Sequence, residues 1–279
     1  MFDYFAWRGC GNLFMVGLNS RKAKRILAMG ASFHITVENT TLRVRLDNPA
    51  QHNKLSPATM KALREGLTEK SDDKSLRVMV LTGTGKSFCA GADLGELGRY
   101  NFDENPLEQL TDVVERLPFP TICALNGGVY GGGADLALSC DFRIGITSMS
   151  SFIPPARIGI HYPPAGLARA VARLGLGPAK RFFLACERMP AEELKAIGFL
   201  DYLVEPDELE ARTEALVLDI AGLAPLSLRG MKETLNDIAR GELDVAKARQ
   251  FQLQCLQSED FTEGKQALAE KRSANFKGS

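Results

Sequence analysis

Asn126-Gly127-Gly128-Val129-Tyr130-Gly131-Gly132-Gly133-Ala134-Asp135-Leu136 sets five glycines between an apolar run at residues 121–125 and a helix expected over residues 133–140. The run has strand length and no polar alternation, which marks a strand buried on both faces. Two phosphate-binding readings of the glycines fail. A dinucleotide fingerprint needs glycine at i, i+2 and i+5, and Val129, Tyr130 and Leu136 break every register. Upstream, Thr82-Gly83-Thr84-Gly85-Lys86-Ser87 ends like a P-loop, but Val80 stands where its first glycine belongs. Two explanations remain for glycines at a buried helix start. They allow helix and strand to pack closely, because glycine has no Cβ. Alternatively, they let the free N–H groups of the first turn, aided by the helix dipole, approach a ligand oxygen. This stretch by itself does not separate the two.

Working outward, residues 33–39 and 42–47 alternate apolar and polar around a short turn, a hairpin signal. Ser56-Pro57 reads as an N-cap followed by a first helical residue, with Met60, Leu63 and Leu67 at helical spacing. Residues 76–82 form a second buried strand, 106–117 a helix, and 142–146 a further strand. Strands alternating with helices predict an α/β core with crossover connections. After Pro164 the pattern turns helical, over 165–174, 178–186, 191–197, 207–223, 226–240, 244–256 and 259–270.

Lys plus Arg equals Asp plus Glu at 34 each, so no global field attracts nucleic acid or an anionic membrane. The six cysteines lie apart from one another and from His34, His52 and His161, which argues against zinc and for reduced, buried thiols. A cytoplasmic location is the expectation, with neither metal nor separate cofactor. Residues 1–30, with the basic cluster Arg21-Lys22-Ala23-Lys24-Arg25 after an aromatic, Gly-rich stretch, read as an extension outside the fold. Residues 31–206 then form the core and 207–279 a helical region.

Lys86-Ser87-Phe88-Cys89-Ala90-Gly91-Ala92-Asp93-Leu94 follows the strand at 76–82 as the glycine stretch follows the strand at 121–125. Together the two motifs resemble the crotonase (enoyl-CoA hydratase/isomerase) superfamily. The likeness extends from Phe33 to the C-terminus and takes in Asn48-Pro49, Ala156-Arg157-Ile158-Gly159 and Glu270-Lys271-Arg272-Ser273-Ala274-Asn275-Phe276. It implies a spiral of ββα units with a C-terminal helical region, a homotrimer or hexamer built with residues 207–279, and an acyl-CoA substrate whose coenzyme A is part of that substrate. It also implies that the backbone N–H groups of Ala92 and Gly132 hold the thioester oxygen, with Ala90, Gly131 and Asp93 beside them. His52, Lys54 and Phe276, the last with Lys271 and Lys277 nearby, are the candidates to meet the CoA moiety.

The chain departs from the two-glutamate hydratases. Asp135 takes the place of the first glutamate and is expected to be the acid–base group. Pro155 takes the place of the second and carries no acid. His161 and Tyr162 follow where the superfamily lines its acyl pocket, a partial likeness to methylmalonyl-CoA decarboxylase-type members. Isomerisation or decarboxylation is therefore expected over two-carboxylate hydration. A non-catalytic acyl-CoA-binding relative and a thioester hydrolase are the alternatives.

Overall fold

The structure, a computed structural model, describes residues 24–26, 32–99 and 104–279. Strands β1 (Lys24–Ile26), β2 (Phe33–Glu38) and β3 (Thr41–Leu46) pair antiparallel, the β2–β3 turn using a left-handed Asn39 with φ of 54°. Helix α1 (Pro57–Ser71) opens as its Ser-Pro start predicts: the Ser56 side chain accepts from the Thr59 N–H.

Three successive ββα units follow. The first is β4 (Val78–Gly83), β5 (Ser87–Cys89) and α2 (Pro106–Arg116). The second is β6 (Thr121–Leu125), β7 (Gly128–Tyr130) and α3 (Gly132–Leu138). The third is β8 (Phe142–Ile146), β9 (Ser150–Phe152) and, past a 3-10 turn at Pro155–Ile158, α4 (Pro164–Leu174). The first strand of each unit joins a seven-stranded sheet, and the second strand joins a separate four-stranded sheet. The chain thus winds as a spiral, as the resemblance implies. Strands β5, β7 and β9 are three residues each, too short to leave a period in the sequence.

The rest comprises α5 (Leu176–Phe183), β10 (Met189–Pro190), α6 (Ala191–Ala196), β11 (Tyr202–Val204), α7 (Leu209–Ala221), α8 (Pro225–Arg240), α9 (Val245–Gln257) and α10 (Glu259–Glu270). The β4 side chains show why its run is unbroken. Met79 and Leu81 enter the main core, while Val78 and Val80 pack with Leu216, Val217 and Ile220 of α7 on the opposite face. Helix α8 is tied down through buried Lys232, which donates to the Phe119 carbonyl at 3.0 Å and pairs with Asp141 at 2.7 Å. Farther out, α9 buries none of its residues, and Leu235, Ile238, Leu253 and Leu256 stand exposed. Among the described residues no helix is long and apolar enough to cross a membrane.

One boundary needs correction. Residues 24–26 of the supposed extension pair with β2 and form the edge of the larger sheet, because an open edge recruits any extended segment beside it. The other residues of 1–30 lie outside the described residues.

Candidate active site

Strand β5 leaves the small sheet at Ala90 and turns at Gly91, whose φ is +83°. A Cβ at Gly91 would lie 2.5 Å from the Gly132 nitrogen, so only glycine lets this turn meet the start of α3. Ala92 then forms a parallel bridge with Leu55. Leu55 donates to the Gly91 carbonyl and accepts from the Asp93 N–H, so the N–H of Ala92 itself points to the opposite side. Gly132 is the first residue of α3, where an N–H has no intrahelical acceptor. Neither N–H has a hydrogen-bond partner among the described residues, and a Cβ on Gly132 would lie 3.5 Å from the Ala92 nitrogen.

Both donors open into a mainly apolar cleft of 480 Å³. Ala90, Ala92, Gly131, Gly132, Pro155, His161 and Tyr162 are among its lining residues. The structure brings these seven expected residues together. Asn53 braces the loop beneath: its amide donates to the carbonyls of Thr84, Ser87 and Phe88 at 2.9–3.0 Å.

Tyr162 is buried, and its hydroxyl donates to the Gly131 carbonyl at 3.1 Å. That carbonyl belongs to the same peptide group as the Gly132 N–H, so the bond both fixes and polarises the donor. Burial, with the charge of Asp135 nearby, pushes the phenol well above its ordinary pKa and keeps the proton in place.

Asp135, the expected acid–base group, is not among the residues that line the cleft. The residue is 2% exposed, and its carboxylate meets Arg169 at 2.5 Å and the Thr111 hydroxyl at 3.4 Å. The same guanidinium binds Asp112 at 3.1 Å and Glu115 at 3.2 Å, so one arginine joins α2, α3 and α4. Burial pushes the Asp135 carboxyl up, and Arg169 pulls it back. Burial also opposes the charge on Arg169, but its carboxylates outweigh that and hold its proton more tightly than usual. Gly166 leaves room for this carboxylate beside the Tyr162 ring: a Cβ there would lie 2.9 Å from Asp135 Oδ2 and 2.6 Å from Tyr162 Cε1.

The CoA-side candidates also lie apart from the cleft lining. Lys54 pairs with Asp93 at 2.8 Å, which holds that carboxyl below its usual range, and the His52 ring contacts the Ser87 hydroxyl at 3.0 Å. Phe276 lines a different cavity along with Leu226 and Phe261, and its carbonyl accepts from Arg77 at 3.1 Å.

Two residues carry more than their sequence positions suggest. Arg169 shares a helix face with Gly166 and Ala170, and an arginine within a stripe of small residues is a legible sign of a buried pair. Glu108 lines the cleft, yet an acid in the first turn of a helix after Asn105-Pro106 reads only as a dipole partner.

Two sheets wound by ββα units, with unpaired amides where two turns meet, are the crotonase fold. The chain belongs to the enoyl-CoA hydratase/isomerase family, which matches residues 36–279. A carnitinyl-CoA dehydratase of Proteus mirabilis is 33% identical over 264 residues, covering 90% of this chain and 100% of that protein. The crystal structure of an enoyl-CoA hydratase from Bacillus anthracis superposes with a TM-score of 0.81 at 31% identity, covering 89% of this chain and 100% of its own. An enoyl-CoA hydratase/carnithine racemase from Magnetospirillum magneticum superposes with a TM-score of 0.83 at 28% identity, covering 91% of this chain and 97% of its own.

Removing Arg169 leaves Asp135 buried without its counter-charge. Arg169→Ala is expected to lower the unfolding free energy in urea by about 3–5 kcal/mol. A loss below about 1 kcal/mol, the scale of a surface pair, contradicts the buried cluster.

Proposed function

We propose that the cleft takes the acyl end of an acyl-CoA thioester, forms its enolate against the N–H groups of Ala92 and Gly132, and moves a carbon–carbon double bond. The observation that carries this is the convergence of two unpaired backbone donors on one apolar cleft. In such surroundings a preorganised donor aimed at a developing oxyanion contributes about 3 kcal/mol.

Two features favour isomerisation over its neighbours. Hydration by the two-carboxylate route needs acids at the positions held by Asp135 and Pro155; the first is sealed against Arg169 and the second has no acid. Decarboxylation needs a substrate carboxylate in the cleft, where the carboxylate of Glu108 would oppose it. A 1,3-proton transfer needs one acid–base group and a stabilised enolate.

The test is a panel of crotonyl-, 3-enoyl- and methylmalonyl-CoA followed by mass spectrometry. Unchanged mass with a shifted double bond is expected, and gain of water or loss of CO₂ as the fast reaction contradicts the reading. Free coenzyme A as the product would mark a hydrolase, and binding without turnover a non-catalytic relative. Gly132→Pro removes the donor N–H and presses a ring on Leu107, and should lower turnover by at least about 100-fold.

We further propose a homotrimer or hexamer in which the apolar side chains of α8, α9 and α10 cover a neighbouring subunit. Exposed Leu235, Ile238, Leu256 and Leu268 on these helices support it, Leu268 being 82% exposed. Light scattering should give three or six times the chain mass at micromolar concentration; a monomer alone contradicts the assembly.

A further inference from the structure

We infer that Glu108 is the acid–base residue of the cleft, which rests on the enolate reading above and names the group that moves the proton. The acid expected at Asp135 is unavailable and Pro155 supplies none, so the proton must travel on another side chain.

Glu108 sits in the first turn of α2, where Asn105 accepts from the N–H groups of Leu107 and Glu108 at 3.1 and 3.3 Å. The neighbouring Leu107 fixes this turn against the donor pair: a Cβ on Gly132 would lie 2.7 Å from its Cδ2. One Glu108 oxygen, Oε1, accepts from the Ala165 N–H at 3.2 Å in the first turn of α4. That bond braces the carboxylate across the gap between α2 and α4. The other oxygen, Oε2, has no hydrogen-bond partner among the described residues.

Of the other titratable side chains in the lining, Tyr162 is engaged, whereas the His161 Nε2 and the Tyr130 hydroxyl, like the Glu108 Oε2, have no hydrogen-bond partner among the described residues. The Tyr162 hydroxyl is spent on Gly131, and the His161 ring Nδ1 lies 2.8 Å from the Tyr162 carbonyl. Glu108 is the one carboxylate among the described lining residues.

The chemistry balances without water or an outside acid. With a 3-enoyl thioester, the Glu108 carboxylate takes a proton from C2. The C2–H electron pair becomes the C1–C2 double bond, and the carbonyl π pair moves onto the thioester oxygen, held by Ala92 and Gly132. On return the oxygen pair restores the carbonyl and the C1–C2 pair becomes the C2–C3 double bond. The C3–C4 π pair takes the proton from the Glu108 carboxylic acid at C4. Glu108 ends as it began.

Glu108→Gln keeps an oxygen for the Ala165 N–H, so its thermal midpoint should match that of the wild type. With a 3-enoyl-CoA substrate, kcat should fall by about 10²–10⁴-fold while KM stays within about threefold. Glu108→Asp keeps the acid at shorter reach and should recover part of the rate, which loss of a merely structural contact would not do. Wild-type turnover with Glu108→Gln within about tenfold of it overturns Glu108 and leaves the enolate reading standing. Wild-type protein that binds the thioester but neither shifts its double bond nor exchanges a C2 proton in D₂O overturns both.

Discussion

The contact between the Gly91 turn and the first residue of α3 governs the rest of this structure. A Cβ at Gly91 would lie 2.5 Å from the Gly132 nitrogen, and one at Gly133 would lie 2.5 Å from the Cys89 carbonyl oxygen. Any side chain there drives the two turns apart, and with them the N–H groups of Ala92 and Gly132. The parallel pairing of β5 with β7 brings the turns side by side, and the Leu55 bridge faces the Ala92 N–H toward the cleft. Asn53 and Tyr162 supply side-chain hydrogen bonds that hold the two backbones in place. An active site made of peptide groups depends on the backbone being rigid, and glycine provides only the proximity.

Electrostatics divides the carboxylates around α2 into two sets. Asp112, Glu115 and Asp135 converge on Arg169, a buried cluster whose desolvation is offset only while all partners remain. Glu108, one turn earlier on the same helix, stays outside that cluster and faces the cleft. Replacing a glutamate by an aspartate at 135 is a change of one methylene, yet here the carboxylate belongs to the scaffold rather than the cleft. The chemistry open to the cleft follows from which side of this division each acid occupies.

Much of the fold was legible in the sequence, for reasons that can be named. Strands β4 and β6 are buried on both faces and leave continuous apolar runs, and the helices after Pro164 leave a clear 3.6-residue period. Ala92 and Gly132 came from the family resemblance that the paired glycine motifs carry, and small residues at fixed places are what backbone donors at tight turns require. The strands of the small sheet were not legible, since three residues carry no period. Nor was the fate of Asp135, which depends on Arg169 arriving from 34 residues farther along the chain. The cleft position of Glu108 likewise depends on α4 packing across α2, and first-turn acids are too common to single one out. Lys54 and Asp93 looked like independent candidates, but their pairing is tertiary, created by the Leu55–Ala92 bridge.

The central claim is that the amides of Ala92 and Gly132 together polarise a thioester carbonyl. Infrared difference spectroscopy of a bound acyl-CoA analogue, with ¹³C at the thioester carbonyl, tests this most directly. Two converging donors in an apolar cleft should lower the carbonyl stretch below its value in water, and Gly132→Pro should return it most of the way. A bound thioester whose carbonyl stretch equals or exceeds its value in water would contradict the account.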